Sequence, residues 1–140
     1  MMNSLSPCYT REQALMLSPL QLAFVGDSVH ALLVRTRLME ENLPVKEMHR
    51  KATAQVNAVS QNRKLQKLLP LLTEEEIGIV KRGRNAHAHH GAPKSASVGE
   101  YAGATGLEAL LGFLYLTGSF ERLLQLASLL QTEENEPSDL

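Results

Sequence analysis

The sequence predicts an all-α domain of about six helices. Apolar residues recur at helical rather than strand period along almost the whole chain. Helix-start signatures stand at Ser18/Gln21 and Thr73/Glu76, a hydroxyl followed three residues later by a side chain able to reach back. The breakers Asn42-Leu43-Pro44, Pro70 and Gly118 fall between the apolar stretches.

Ser18 and Pro19 supply an N-cap and a proline at the first helical position, and the helix they open should run to about Glu41. Pro44 opens a second helix, with Val45, Met48, Ala52, Val56 and Val59 on one stripe and Lys46, Arg50 and Lys51 off it. A shorter helix around 62–69 stops at Pro70. The next begins at Thr73, has acids in its first turn as the helix dipole favours, and should end near Gly83. Residues 84–97 have no apolar period and read as a loop of the length that is usually functional or mobile. Helix resumes near Val98 and ends at Thr117-Gly118. A last helix, from Ser119 to about Leu130, carries Phe120, Leu123, Leu124, Ala127 and Leu130 on its stripe. Residues 1–17 read as a leader, 18–131 as one domain and 132–140 as an acidic disordered tail.

A chain of 140 residues can build a single core without staples. One cysteine, Cys8, excludes an internal disulfide and fits a reducing compartment. No secretion signal is evident at the N-terminus, and no apolar run nears the roughly 20 residues of a membrane span. The expectation is a soluble, cytoplasmic protein with no membrane partner. The net charge of −1 conceals an uneven distribution. Between Lys46 and Lys94 stand ten basic and four acidic residues, which leaves −7 for the rest, four units of it in the tail. A basic middle is a footprint for a polyanion, the alternative being ordinary solvated helix faces.

Two carboxylates stand apart. Of thirteen glutamates and two aspartates, Asp27 is the only aspartate before the tail, and Leu22, Phe24, Val25 and Val29 surround it. Such a carboxylate must find a cation, take up a proton or face a cavity. The plainer alternative is a helix residue paired with a cation such as Arg35. Glu108 is the only charge after Glu100 in the most apolar helix, with Ala104, Thr105, Leu111 and Gly112 on its own face. Gly99, Gly103 and Gly106 give that helix a narrow face suited to tight packing. Paired acids on two helices point to a divalent cation such as Mg²⁺ or Mn²⁺, which prefer oxygen ligands. His87, His89 and His90 read as solvated loop residues rather than a zinc site, and Cys8 as inert. His30 reads as a packing or hydrogen-bonding residue, not a ligand.

Phe24-Val25-Gly26-Asp27-Ser28-Val29 resembles the phenylalanine-leucine-glycine-aspartate-(serine/alanine)-valine heart of the ribonuclease III signature. Thr105 to Tyr115 is similar to the second acidic motif of that family, and Thr73 to Ala86 to the basic segment of its small subfamily, Mini-ribonuclease III. The matches stand in the expected order and span roughly residues 18 to 130.

The resemblance implies a ribonuclease III-like endonuclease that uses Mg²⁺ or Mn²⁺. Its reaction is hydrolysis of double-stranded RNA, leaving 5′-phosphate and 3′-hydroxyl ends, with Asp27 and Glu108 as catalytic metal ligands. It implies RNA contacts at Lys81, Arg82, Arg84, Asn85 and Lys94, the rival reading of Lys81, Arg82 and Arg84 being a helix end that complements its dipole. It implies a homodimer in which Phe24, Val25 and His30 are candidate contacts. In the subfamily the substrate is the stem joining the ends of 23S ribosomal RNA precursor; the missing RNA-binding domain points to help from a structured substrate or a bound protein, for which a ribosomal protein on the stem is a candidate.

Two departures stand out. The larger enzymes have a glutamate four residues before the signature aspartate and an aspartate three before the second-motif glutamate; here those positions hold Ala23 and Thr105. Water, substrate oxygens or the Thr105 hydroxyl must complete the shell. The chain also leaves no room for the double-stranded RNA-binding domain of those enzymes, as in the small subfamily. Two other classes stay open. A non-catalytic RNA-binding or ribosome-associated module would bind RNA without Mg²⁺-dependent cleavage; a nucleotide phosphohydrolase would leave the basic middle without a reason.

Overall fold

A computed structural model describes residues 5, 7, 9–87 and 96–134 of the chain. Among them are seven α-helices and no strand: α1 Arg11–Met16, α2 Pro19–Leu38, α3 Val45–Val56, α4 Ala58–Leu68, α5 Glu74–His87, α6 Val98–Leu116 and α7 Phe120–Glu134. Short 3₁₀ turns, Met39–Glu41 and Leu69–Leu71, close α2 and α4. None of these helices is long and apolar enough to cross a membrane.

Helix α6 is the axis of the domain, with α2, α5 and α4 packed around it. That arrangement follows from its composition, since a helix apolar on nearly all sides must be covered on all sides. Leu107, Leu110 and Leu111 are at most 2 % exposed and meet Leu22, Leu65, Leu68, Ile79 and Leu126 in one core. A capping box starts α6: the Ser97 hydroxyl accepts from the Glu100 amide at 3.0 Å, and Glu100 accepts from the Ser97 amide at 3.1 Å. Gly118, at φ +70°, ends it, letting the next amide, of Ser119, reach back to the Leu114 carbonyl at 2.8 Å.

The sequence expectation differs from the structure in four places. The leader contains α1, capped by Thr10 and tied to α5 by an Arg11–Glu75 ion pair and to the end of α6 by the Tyr9 amide on the Leu116 carbonyl. The second predicted helix stops at Val56, because Asn57 turns extended and caps α4 by accepting from the Ser60 amide at 2.9 Å. Val59 therefore belongs to α4. Gly83 lies inside α5, which runs to His87, so the predicted loop begins later. Gly99 meets nothing that a side chain would disturb, whereas Gly103 and Gly106 do lie against neighbours.

Candidate active site

The relative placement of α2 and α6 is set by their main chains. A Cβ on Gly26 would lie 1.7 Å from the Glu108 carbonyl oxygen, and one on Gly112 would lie 2.0 Å from that of Leu22. Any side chain at either position would force the helices apart, so the two glycines bring the backbones into contact. Asp27, next to Gly26, and Glu108, against it, then emerge side by side. A similar pair, Gly83 and Gly106, seats α5 on the opposite flank of α6.

Asp27 and Glu108 open into one cleft whose wall includes Ala23, Phe24, Gln61, Tyr101 and Thr105. Among the described residues, no lysine, arginine or histidine lines it. Asp27 is exposed and Glu108 half-buried. Burial, then a hydrogen bond and charge from Asp27, push the Glu108 carboxyl up from its ordinary 4.5 to about 8. Two acids in hydrogen-bonding contact cannot both ionise cheaply without a positive charge between them. That is what a hard divalent cation supplies, and an oxygen-only donor set is what it prefers. The residues therefore fit such an ion. Among the described residues no three His, Cys, Asp or Glu side chains cluster, so of these residues only the two carboxylates offer charge to an ion there. Thr105 donates its hydroxyl to the Tyr101 carbonyl at 3.0 Å, which leaves its oxygen lone pairs toward the cleft free to accept.

A polar line behind Glu108 was not anticipated from sequence. Gln61 Nε2 lies 3.5 Å from Glu108 Oε2 and 3.3 Å from His30 Nδ1, and Lys64 Nζ lies 3.0 Å from His30 Nε2. Gln61, Lys64, Leu65 and Leu68 share one face of α4 at helical spacing, all buried. Two polar residues in a core stripe are the signal that could have found it.

The other expected residues divide. Phe24 is 82 % exposed and, with Leu20 and Val25, borders an apolar groove completed by Tyr9, Leu17 and Leu116. His30 is 2 % exposed and turned inward, so it is corrected from a dimer contact to a buried hydrogen-bonding residue. Lys81 and Asn85 are exposed and Arg84 half-buried. Arg82 is half-buried and donates to the Leu17 carbonyl at 3.1 Å; its guanidinium ties α5 to the α1–α2 junction. Lys64, counted with the basic surface, is buried. Lys94, His89 and His90 lie outside the described residues, as does the tail beyond Glu134.

Comparison with known proteins gives the family. A family described as Ribonuclease III domain matches residues 20–119. The chain is 51 % identical to a Mini-ribonuclease 3 of Symbiobacterium thermophilum over 78 % of its own length and 84 % of that protein. It is 47 % identical to one of a Thermoanaerobacter species, over 81 % of this chain and 80 % of the other. A crystal structure of a Fusobacterium nucleatum protein superposes with a TM-score of 0.78 at 31 % identity, covering 85 % of this chain and 95 % of that one. The chain belongs to the ribonuclease III family and, within it, to the Mini-ribonuclease 3 group.

Proposed function

We propose that this ribonuclease III family endoribonuclease hydrolyses double-stranded RNA with Mg²⁺ or Mn²⁺ held by Asp27 and Glu108. The observation that carries the reading is the pair of hydrogen-bonded carboxyl groups in a cleft that, among the described residues, no basic side chain lines. A bound ion would supply an activated water and stabilise charge on the leaving 3′-oxygen. Asp27 and Glu108 would hold the ion through their carboxylate oxygens, Glu108 in its ionised form. The half-buried setting of Glu108 limits water at that carboxyl, and Ala23 and Phe24 form an apolar part of the cleft wall. Products would carry 5′-phosphate and 3′-hydroxyl ends.

The exposed Phe24 and the adjoining groove favour a homodimer. An apolar patch of this kind is uncommon on a monomer, and a two-fold axis covers it with its own copy. Two copies would present one cleft to each strand. Lys81, Arg84 and Asn85 on the last turns of α5 are candidates to grip phosphates and 2′-hydroxyls of the A-form helix; Lys94 remains a candidate on its sequence position alone. The subfamily's substrate, the end stem of 23S ribosomal RNA precursor, is the substrate we propose here, in the cytoplasm, with a ribosomal protein on that stem as a candidate partner.

Incubation with an end-labelled stem of that precursor, with Mg²⁺ or with EDTA, tests the reading. The parent should cut both strands only with Mg²⁺. Asp27→Asn should bind the stem and leave it whole. Cleavage by Asp27→Asn at a rate near the parent's sinks the assignment.

A further inference from the structure

His30, Gln61 and Lys64 are 2, 3 and 8 % exposed, three polar side chains where apolar ones would pack at less cost. They are collinear in function. Lys64 comes from the same face of α4 as Gln61, one turn on, with its nitrogen also 3.5 Å from the Gln55 carbonyl, and His30 and Gln61 carry the line through to Glu108.

Donor counting decides what the line does. The Lys64 nitrogen lies 3.0 Å from His30 Nε2, and a ring that accepts there is neutral. A neutral imidazole has one acceptor and one donor nitrogen. The Lys64 ammonium can only donate, so Nε2 accepts from it and Nδ1 carries the hydrogen. The group facing Nδ1 must then be an acceptor. Gln61 meets that need by a half-turn of its terminal amide, which exchanges nitrogen for oxygen at the same point. That point is shared with Glu108. The amide thus has two settings: nitrogen outward serves an ionised Glu108, and oxygen outward satisfies His30 but faces a second oxygen once Glu108 has lost its proton. A cation between the two oxygens takes the place of that proton in the second setting.

We infer that Gln61 presents its amide oxygen to the ion bound by Asp27 and Glu108, with His30 and Lys64 as positioning residues that hold the amide in that setting. The inference rests on the cleft being the metal site proposed above. It supplies a neutral oxygen to a shell that lacks the acids replaced by Ala23 and Thr105. Partners behind a ligand are commonly worth about 10- to 100-fold in metal affinity.

Mn²⁺ titration of the RNA-free protein, followed by the electron paramagnetic resonance of the free ion, is the test. Gln61→Leu should bind Mn²⁺ at least about tenfold more weakly than the parent. Gln61→Glu, which keeps an oxygen at the same reach and accepts from His30, should bind at least as tightly as the parent. Lys64→Met should be weakened several-fold, and its kcat should fall more than its KM for duplex RNA changes. If Gln61→Leu does not fold, Gln61→Met stands in the same comparison. A folded apolar variant with the parent's Mn²⁺ affinity overturns the inference, as does Gln61→Glu binding as weakly as Gln61→Leu. Mn²⁺ binding lost in Asp27→Asn but unchanged in the Gln61 variants would defeat this inference alone. A parent that binds no Mn²⁺ would defeat the metal site with it.

Discussion

Glu108→Gln should stabilise the metal-free protein at pH 8 and leave it unchanged at pH 5. In the fold this carboxyl holds its proton to about 8, raised by burial and by Asp27, while in the unfolded chain it releases it near 4.5. Between those values the folded state binds the extra proton, so stability falls as pH rises through the window and levels off above it. At 1.36 kcal/mol per pH unit the gap is worth up to about 5 kcal/mol. Water entering the cleft and relaxation of the acid pair reduce this to an expected value of about 2 kcal/mol. For a domain of this size that is a rise in Tm of roughly 6 °C. Thermal unfolding by circular dichroism in EDTA, for parent and variant at pH 5, 6, 7 and 8, reads it directly. Taking the difference between the proteins cancels His30, whose lowered pKa works the other way and costs stability as pH falls below its ordinary 6.5. Mn²⁺ should raise the Tm of the parent at pH 8 more than that of the variant. Equal Tm values at pH 8, or a variant less stable at every pH, would refute the strained acid pair.

Gly26→Ala should cost more than about 3 kcal/mol or prevent folding, because its Cβ would lie 1.7 Å from a backbone oxygen that cannot move alone; urea unfolding checks it. By contrast Gly78→Ala, in open space on α5, should be neutral or stabilising by up to about 1 kcal/mol. Phe24→Glu should yield monomers by light scattering and lose double-strand cleavage, with both acids still in place; a parent already monomeric at micromolar concentration contradicts the dimer. Neutralising Lys81 and Arg84 should weaken duplex binding and flatten its salt dependence. Arg82→Ala should instead lower Tm through the lost Leu17 bond, and a salt slope that shifts with Arg82 rather than Lys81 and Arg84 would reverse the assignment.

Helix positions were legible wherever a local signal sets them. Ser18, Thr73 and Gly118 mark ends with their own hydrogen bonds, and the structure keeps all three. Asn57 was missed because an asparagine inside a helical period reads as a surface residue until its backbone is seen to turn. Glu76 shows the limit of local reading. Its capping role is visible three residues away, but its bidentate pairing with Arg122, at 2.7 and 2.8 Å, joins positions 46 residues apart. That guanidinium also holds the 5 % exposed carboxyl below its usual range. Asp27 and Glu108 stood out because each is a lone charge in an apolar setting, and the structure places both in one cleft. Gln61 was not, since an amide in a polar-looking helix carries no such contrast, and Lys64 passed for part of a basic surface while its stem and head lie inside.

The main-chain contact between α2 and α6 leaves the two acids no intermediate degree of looseness. Sliding α6 by one residue would advance it about 1.5 Å and turn it by about 100°, carrying Glu108 out of the cleft and driving a side chain into the Gly26 notch. A helix pair locked in this manner is either in register or apart. Heat should therefore take away cleavage and tertiary structure in the same step, with no warm, folded and half-active form below the melting point. Any working-temperature ceiling of the enzyme becomes a property of that notch.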